Sequence, residues 1–459
     1  MANNDQPSQL ESNRLDQRGI AHFLLLVFML ALIGGVGYFV WQRTKSKNTP
    51  SKDASAQQIL IEEVPKSPFH SPDGSWWGYN MQKVTRIGEH VFMYVVENKD
   101  SSNKTSSKLT IYKKSSAGNW QSGAGFTTSR PGNILADSEG VLHAFVFEPY
   151  EVETNDSWGK LKHYWFPGAA QGDIKTFKQE TVIENNGTQE TVNIRVGVAI
   201  APDDTMAIAF GLTENIPPNM GHSEHLYIKK PSQKQWQHLV AGQRLGHDFY
   251  YPFVFATNKS FHLLPVQDDY YAPDPSRYNV YQKILYLEYA NEKWNKKLIV
   301  DLSNHRLAKE RLRLLEQSDL WVDSNGDIHA IYKEFTNPKK DWKTERLRHA
   351  IYRSGKWSTS TIEANADWVR LVEYKKRLFY IFLGGHDRSL LIKPVSGDGE
   401  LKIHLPDKLK GAYPYIATLK SGTIFDKYLD IILHASDPNS YGESSSYYVR
   451  VDLSELGDL

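Results

Sequence analysis

Three acids and three potential bases in the polar segments of the sequence have the side chains that hydrolysis or elimination needs. Hydrolysis across two carboxyl groups requires one to donate a proton and the other to act as base or nucleophile. Elimination requires a histidine or tyrosine as base, with an arginine or a metal to neutralise a neighbouring carboxylate. No motif selects between these two chemistries. The catalytic candidates are Asp268, Asp269, Glu345, His222, His247 and Tyr250.

A second set of residues has the flat rings and charged groups that bind polar ligands. Aromatic rings beside carboxylates and guanidinium groups suit a sugar with hydroxyl and acidic substituents, and two arginines can hold a carboxylate or sulfate bidentately. The alternatives are that the arginines form structural ion pairs with the aspartates, and that the long loops are polar only because they lie at the surface. The binding candidates are Arg130, Arg195, Tyr270, Tyr271, Asp319, Trp342, Asp367 and His386.

Composition and motifs predict no metal site, no cofactor and no nucleic-acid partner. The 459 residues include no cysteine, which excludes disulfide frameworks, thiolate metal sites and cysteine nucleophiles. His222 and His225 are three positions apart, which on a strand puts their side chains on opposite faces. No phosphate-binding glycine loop or serine-hydrolase motif occurs. The 54 Lys and Arg balance 53 Asp and Glu, so the sequence shows no basic footprint for nucleic acid.

The elements that must position these residues repeat along the chain. Each unit has an apolar strand, a polar turn, an alternating apolar second strand, a long loop and a third strand, and a turn with a tryptophan often follows. The turn and second strand occur at residues 86–96, 137–147, 202–212, 257–267, 323–333 and 374–384. A seventh, less regular unit starts near Tyr413. Four strands per unit are typical of a propeller blade, so the sequence predicts an all-β, seven-bladed β-propeller, with six blades as the alternative.

Two turns and three histidines make the repeat recognisable. Asp137-Ser-Glu-Gly140 and Asp323-Ser-Asn-Gly326 form the same turn, and His143, His262 and His329 share one position of the second strand. The units resemble the sialidase-type, BNR-like propeller repeat, although the strict Ser-x-Asp-x-Gly-x-Thr-Trp and Arg-Ile-Pro signatures are absent. Because the three histidines would lie in different blades at equal radius, we expect them to form structural hydrogen bonds.

The four tryptophans of the repeat are interpreted in the same way, as packing between strands of the blades. They are Trp120, Trp236, Trp294 and Trp357. In a propeller, the starts of the innermost strands and the loops after the second strands lie on one face, and loops mostly carry function. We therefore expect the candidates to share a loop-rich face that binds, and as a further step degrades, a carbohydrate. The alternatives are a protein–protein scaffold or an envelope assembly subunit, because a fold does not fix a function.

The N-terminal region predicts a membrane anchor. Residues 19–42 carry no Asp, Glu, Lys or Arg and are long enough to span a bilayer. A cleaved signal peptide is the alternative, but its apolar region should be shorter and should end at a small-residue cleavage site. The predicted organisation is a polar tail over 1–18, a transmembrane helix over 19–42, a flexible polar linker over 43–66 and the propeller over 67–459.

The orientation of the anchor follows from two opposed signals. Arg43, Lys45 and Lys47 follow the apolar segment, and by the positive-inside rule they would place the propeller in the cytoplasm. Long domains translocate largely regardless of such charges. A short tail, one anchor and a large β domain form the usual layout of a surface-exposed module, so we expect an extracytoplasmic propeller.

Overall fold

A computed structural model describes most of the chain after residue 51. The described residues are 52–53, 59–64, 79–98, 107–115, 118–128, 131–151, 155–184, 196–216, 219–245, 250–268, 281–308, 313–335, 345–362, 366–384, 389–406, 415–418, 427–435, 445–457 and 459, with only the backbone at several strand ends. All of them belong to one compact unit, Lys52–Leu459. The predicted membrane segment lies outside the described residues, and within them no helix has the length and apolar character needed to cross a bilayer.

Two short N-terminal strands, β1 (Lys52–Asp53) and β2 (Ile59–Glu63), precede the first repeat unit. The next three units each form a four-stranded antiparallel sheet, here called a blade. Blade 1 contains β3 (Val84–Ile87), β4 (His90–Asn98), β5 (Ser107–Ser115) and β6 (Gln121–Thr128). Blade 2 contains β7 (Asn133–Ala136), β8 (Leu142–Glu151), β9 (Asn155–Phe166) and β10 (Lys178–Glu184). Blade 3 contains β11 (Gly197–Ile200), β12 (Met206–Ile216), β13 (Asn219–Lys229) and β14 (Gln237–Leu245).

The remaining units form four further blades in the same strand order. Blade 4 contains β15 (Tyr250–Ala256), β16 (Ser260–Asp268), β17 (Tyr281–Ala290) and β18 (Lys293–Asp301). Blade 5 contains β19 (Leu315–Val322), β20 (Ile328–Phe335), β21 (Glu345–Arg353) and β22 (Lys356–Ile362). Blade 6 contains β23 (Ala366–Tyr374), β24 (Arg377–Gly384), β25 (Ser389–Pro394) and β26 (Leu401–Ile403). Blade 7 contains β27 (Tyr415–Thr418), β28 (Tyr428–Ala435) and β29 (Ser445–Asp452), and a short helix α1 (Ser454–Gly457) follows.

These seven sheets confirm the predicted all-β, seven-bladed propeller. The inner strands of successive blades contact one another in turn, from β3 with β7 through to β23 with β27. The second strand of blade 7, β28, then contacts β3 of blade 1. Each apolar cluster lies between neighbouring blades; one, for example, joins Phe145 and Phe147 of blade 2 to Ile208 and Phe210 of blade 3. The inner strands, such as β7, β11 and β19, are therefore buried on both faces, one for each neighbouring blade, whereas outer strands such as β6, β10 and β22 are largely exposed.

The N-terminal strands close the ring. β2 pairs antiparallel with β29, from Ile59 opposite Val451 to Glu63 opposite Tyr447, and so becomes the fourth strand of blade 7. β1 adds to the edge of blade 6 beside β26. Residues 52–53 and 59–63 thus form strands in a segment that the sequence assigned to a flexible linker, because their pairing partners lie more than 300 positions later in the chain. The hydrogen bonds of β2 cover an edge that blade 7 would otherwise expose.

The repeated tryptophans pack in the blades, as expected. Trp120 reaches Tyr448 of blade 7 with ring centroids 5.4 Å apart. Trp236 of blade 3 lies 6.1 Å from Phe145 of blade 2. Trp357 of blade 5 packs 5.7 Å from Tyr286 of blade 4, and the fourth, Trp294, packs within its own blade. Three of the four rings therefore bridge neighbouring blades.

Candidate functional site

The start of each innermost strand lies beside the end of the second strand, as the propeller prediction requires. Leu315 pairs with Glu334, Ala366 with Gly384 and Tyr415 with His434. The long segments that follow the second strands therefore leave the sheets at the same end as the inner strands begin. We call this end the loop-rich face.

The structure describes the predicted site residues unevenly. Only the backbone is described for His222, Tyr250, Asp268, Glu345 and Asp367, which all lie in strands. Of these, Tyr250 begins β15, Asp268 ends β16 and Glu345 begins β21, so the three backbones are at the loop-rich face. The remaining candidates lie outside the described residues and stay predictions; they are Arg130, Arg195, His247, Asp269, Tyr270, Tyr271, Trp342 and His386.

Asp319 is the predicted site residue whose side chain is described. It is fully buried in β19. One carboxylate oxygen accepts a hydrogen bond from the backbone N–H of Leu320 (2.9 Å), and the other accepts from that of Leu371 in β23 (2.7 Å). The guanidinium of Arg370 in β23 lies 4.0 Å from it. The carboxylate therefore ties the inner strands of blades 5 and 6 together.

Three aromatic rings meet at the axis near the loop-rich face, and the sequence did not reveal them. The ring centroid of Tyr79 lies 5.1 Å from that of Tyr251 in β15 and 4.6 Å from that of Trp368 in β23. Asn80 donates to the carbonyl of Pro252 (3.0 Å), and the N–H of Gln82 donates to Asn133 (2.8 Å). The segment from residue 79 to 83 thus contacts inner strands of blades 2, 4 and 6, which places it in the central channel.

Cations surround these rings. Arg370, 3 % exposed, donates to the carbonyls of Ser318 (2.6 Å) and Tyr79, and its guanidinium lies 5.2 Å from the Phe253 ring centroid. Burial lowers the pKa of Arg370 to about 9, which leaves it charged at neutral pH. The Lys333 ammonium sits 3.9 Å above the Trp368 ring. Such contacts are favourable because the ring face is electronegative.

Lys83 completes this group, which we call the axial cluster: Tyr79, Lys83, Tyr251, Lys333, Trp368 and Arg370. Lys83 is 1 % exposed, and burial together with the charge of Arg370 lowers its pKa well below the ordinary value. Tyr79 and Lys83 precede the first repeat unit, and the others occupy positions that the repeat does not mark. The available sequence signal was the Trp368–Arg370 pair at alternate positions of a predicted inner strand.

Buried polar groups also lie at the boundaries between blades, and several of them occupy the same position of the sequence repeat. His143, His262 and His329 are each less than 10 % exposed and hydrogen bonded. Their partners are His163, Tyr286 and His349, at 2.9, 2.6 and 2.9 Å respectively. These contacts agree with the expected structural role. Among the described residues, no group of three or more His, Asp or Glu side chains is arranged to hold a metal ion.

One buried acid has no partner. Glu224 in β13 is fully buried, neither carboxyl oxygen has a hydrogen-bond partner, and burial raises its pKa well above the ordinary value. It lies opposite Gly211 of β12, at a register irregularity between β13 and β14. The same face of β13 carries Leu226 and Ile228, which pack against Leu285 of blade 4. Glu224 is therefore a neutral carboxylic acid in the wall between blades 3 and 4.

Comparison with known proteins supports the fold. No protein-family profile matches the chain, and no curated protein matches it in sequence. The polysaccharide lyase Uly1 is similar in structure, with a TM-score of 0.53 and 11 % identity over 86 % of this chain and 100 % of that chain. An α-L-arabinanase from Penicillium chrysogenum gives a TM-score of 0.43 and 11 % identity over 70 % of this chain and 92 % of the other. A Trypanosoma rangeli sialidase gives a TM-score of 0.43 and 10 % identity over 86 % of this chain and 60 % of the other.

Proposed function

We propose that this propeller binds a carbohydrate that carries acidic groups, at the axial end of its loop-rich face. The observation that carries the proposal is the composition of the axial cluster, which combines three aromatic rings with two lysines and an arginine. Aromatic faces stack on sugar rings, and fixed cations favour carboxylate or sulfate substituents. The chain as a whole is nearly neutral, with a net charge of +1, so the basic side chains of Lys333 and Arg370 beside these rings are a local feature, whereas burial favours the neutral form of Lys83.

The neighbours in fold make a carbohydrate the natural ligand class to test first. Their names describe a polysaccharide lyase, an arabinanase and a sialidase. We propose degradation as the second step, by hydrolysis between two of Asp268, Asp269 and Glu345, or by elimination with His222, His247 or Tyr250 as base. Asp268 ends β16, Tyr250 begins β15 and Glu345 begins β21 at the loop-rich face, and His222 lies in β13.

Binding of the full-length protein to a panel of uronate-containing, sulfated and neutral polysaccharides tests this function. We expect binding to the acidic members, and about tenfold weaker binding for Lys333→Gln because a cation–π contact near the ligand is lost. The matched control is Lys297→Gln, since the Lys297 ammonium also lies 3.9 Å from a ring, that of Tyr352 on the outer side of blade 5. Equal binding to neutral and acidic polysaccharides would contradict the acidic preference.

The products distinguish the two chemistries. Elimination creates an unsaturated sugar with a new ultraviolet absorbance, whereas hydrolysis creates a reducing end without it. Capture of a protein partner by a protein that binds no polysaccharide would instead favour the scaffold alternative. Among the described residues, the large apolar side chains that are exposed are Tyr150, Phe177, Val240 and Leu298, and they are spread over three blades.

We also propose that residues 19–42 anchor the protein in a membrane with the propeller on the extracytoplasmic side. The support is the apolar length of this segment and its flanking residues. Because the chain has no cysteine, a single Ser232→Cys substitution at an exposed position provides a unique label. Labelling of intact cells by a membrane-impermeant maleimide is expected, and labelling only after lysis would reverse the orientation.

A further inference from the structure

At two blade boundaries, four side chains form a row of hydrogen bonds: an aspartate, two histidines and a fourth residue, which is Glu180 in one row and Tyr380 in the other. In blade 2, Nε2 of His143 lies 3.1 Å from Asp137, and its Nδ1 lies 2.9 Å from Nε2 of His163. Nδ1 of His163 lies 2.9 Å from a carboxylate oxygen of Glu180. The row therefore begins and ends in a carboxylate. His143 and His163 are 7 % and 3 % exposed, so water does not substitute for these contacts.

The number of protons in the blade 2 row follows from donor and acceptor rules. An ionised carboxylate only accepts, so His143 must donate from Nε2 to Asp137, and His163 must donate from Nδ1 to Glu180. If both rings were neutral, their two remaining nitrogens would face each other 2.9 Å apart as two lone pairs. A hydrogen bond at that distance requires one more proton than two neutral imidazoles carry.

Both carboxyl groups of this row are ionised at neutral pH. Burial raises the pKa of Glu180, but hydrogen bonds from His163, Lys229 and Trp236 outweigh it and bring the pKa to about 2. Burial also acts to raise the pKa of Asp137, while hydrogen bonds from His143 and from the backbone of Val141 lower it below its ordinary value. Neither carboxyl group therefore supplies the missing proton.

The extra proton belongs on one of the two rings. Burial lowers the pKa of His163 to about 4, against the opposing effect of Glu180, so His163 is the neutral ring. His143 then donates from both nitrogens, one to Asp137 and one to His163. The charged groups near the pair are Asp137, Glu180 and Lys229, the last binding Glu180 at 2.6 Å from blade 3.

The corresponding row of blade 5 ends in a hydroxyl group. Nε2 of His329 faces Asp323 (3.4 Å), its Nδ1 faces Nε2 of His349 (2.9 Å), and Nδ1 of His349 faces the hydroxyl of Tyr380 in blade 6 (2.6 Å). Because a tyrosine hydroxyl can donate, the three contacts are satisfied with both rings neutral. The blade 5 row therefore needs no extra proton.

The surroundings of the blade 5 pair agree with neutral rings. Burial lowers the pKa of His349 to about 3, and a charge on His329 would lower it further. Burial also lowers the pKa of His329, although Asp323 and Asp327 oppose this effect and Arg353 adds to it. His225 and His262, in blades 3 and 4, face serine or tyrosine hydroxyls or a second imidazole, which also allow neutral rings.

We propose that the boundary between blades 2 and 3 is a fixed proton-binding site, in which His143 is a buried imidazolium held between Asp137 and His163, whereas the matching site in blade 5 is empty of this proton. The last residue of each row, the carboxylate of Glu180 or the hydroxyl of Tyr380, decides whether the extra proton is required.

Side-chain nitrogen NMR of the full-length protein labelled with nitrogen-15 histidine tests this site, because imidazolium and neutral rings have distinct nitrogen shifts. At about pH 7.5, where an ordinary histidine is mostly neutral, we expect one buried imidazolium signal that disappears in His143→Gln. In Glu180→Gln, the amide can donate to Nδ1 of His163, so both rings can be neutral and the imidazolium signal should be lost at the same pH.

Tyr380→Phe is the matched control, because it changes the end of the blade 5 row and should leave the imidazolium signal in place. A neutral His143 at about pH 7.5 in the wild type would overturn the proposal, as would an imidazolium that persists in Glu180→Gln. If His143→Gln does not fold, the signal is assigned from Asp137→Asn, in which an amide can donate to His143 and the extra proton is again unnecessary.

Discussion

The axial cluster and the blade boundaries are both buried and polar, but they are built from different kinds of positions. Boundary groups such as His143 and His329 recur at one phase of the repeat, and each has partners within its own blade or the next. The axial residues Trp368 and Arg370 lie in the inner strand of blade 6, and Tyr79 precedes the first blade, so these residue types do not follow the repeat. Each blade must solve the same packing problem, so boundary residues recur, whereas a single axis needs only one set of side chains.

The difference distinguishes buried polar groups that the packing of the blades requires from those that we propose bind a ligand. A repeated buried histidine is explained by the hydrogen bonds that it makes to neighbouring strands. The axial basic residues Lys83, Lys333 and Arg370 do not recur in every blade. Four substitutions test this contrast through the free energy of unfolding of the full-length protein, from the largest expected loss to the smallest.

Arg370→Met should cause the largest loss, about 3–5 kcal/mol, because it leaves Asp319 and two backbone carbonyls without their buried cation. Denaturant unfolding at neutral pH measures it. Arg353→Met is the control, since Arg353 forms an exposed ion pair with Asp327 and should give no measurable change. Equal losses of unfolding free energy for the two variants would show that burial at the axis does not increase the contribution of an arginine to stability.

Glu180→Gln should cost about 1–2 kcal/mol at neutral pH, because the carboxylate accepts from His163, Lys229 and Trp236. The same unfolding measurement applies, and Glu139→Gln at an exposed turn of blade 2 is the control. A loss as large as that of Arg370→Met would remove the distinction between boundary and axis.

The effect of Glu180→Gln should also depend on pH with a definite sign. The pKa of Glu180 is lowered from 4.5 to about 2 in the folded protein. The ionised form of Glu180 therefore contributes fully to the free energy of unfolding above about pH 4.5, and this contribution is lost as the pH falls toward about 2. The difference in the free energy of unfolding between the wild type and Glu180→Gln should shrink over that pH range. A difference that grows in acid would contradict the lowered pKa of Glu180.

Tyr380→Phe should cost about 1 kcal/mol, because one buried hydrogen bond to His349 is lost while the ring remains packed. Thermal and denaturant unfolding both measure this loss. Tyr374→Phe, in the same blade, serves as the control. An unchanged stability would show that the hydroxyl does not complete the blade 5 row.

Glu224→Gln should have the smallest effect, within about 0.5 kcal/mol at neutral pH, since the buried carboxyl is already neutral and has no partner to lose. It is also the test of whether every boundary acid behaves like Glu180. A loss comparable to that of Glu180→Gln would show that Glu224 is ionised and paired in the protein.

Part of this site could be predicted from the sequence, and the rest could not. The repeat identified the strands, the boundary histidines and the tryptophans, and it gave the end of the sheets where the candidates Tyr250, Asp268 and Glu345 begin or end their strands. It assigned Asp319 to ligand binding because an aspartate at the start of an inner strand can face the axis. The structure instead gives its oxygens to the backbone of blades 5 and 6, which alternation alone does not reveal.

The sequence by itself determined the repeating strand order and limited the number of blades to six or seven, because apolar alternation with a two-residue period and a recurrent turn act locally, within one unit. Only the tertiary structure decided how distant units complete one another. β2 closes blade 7, the segment from Tyr79 to Lys83 enters the channel, and Arg370 joins that segment to blade 5. These contacts link residues up to about 390 positions apart, and nothing in a local pattern encodes them because their energy depends on the closure of the ring.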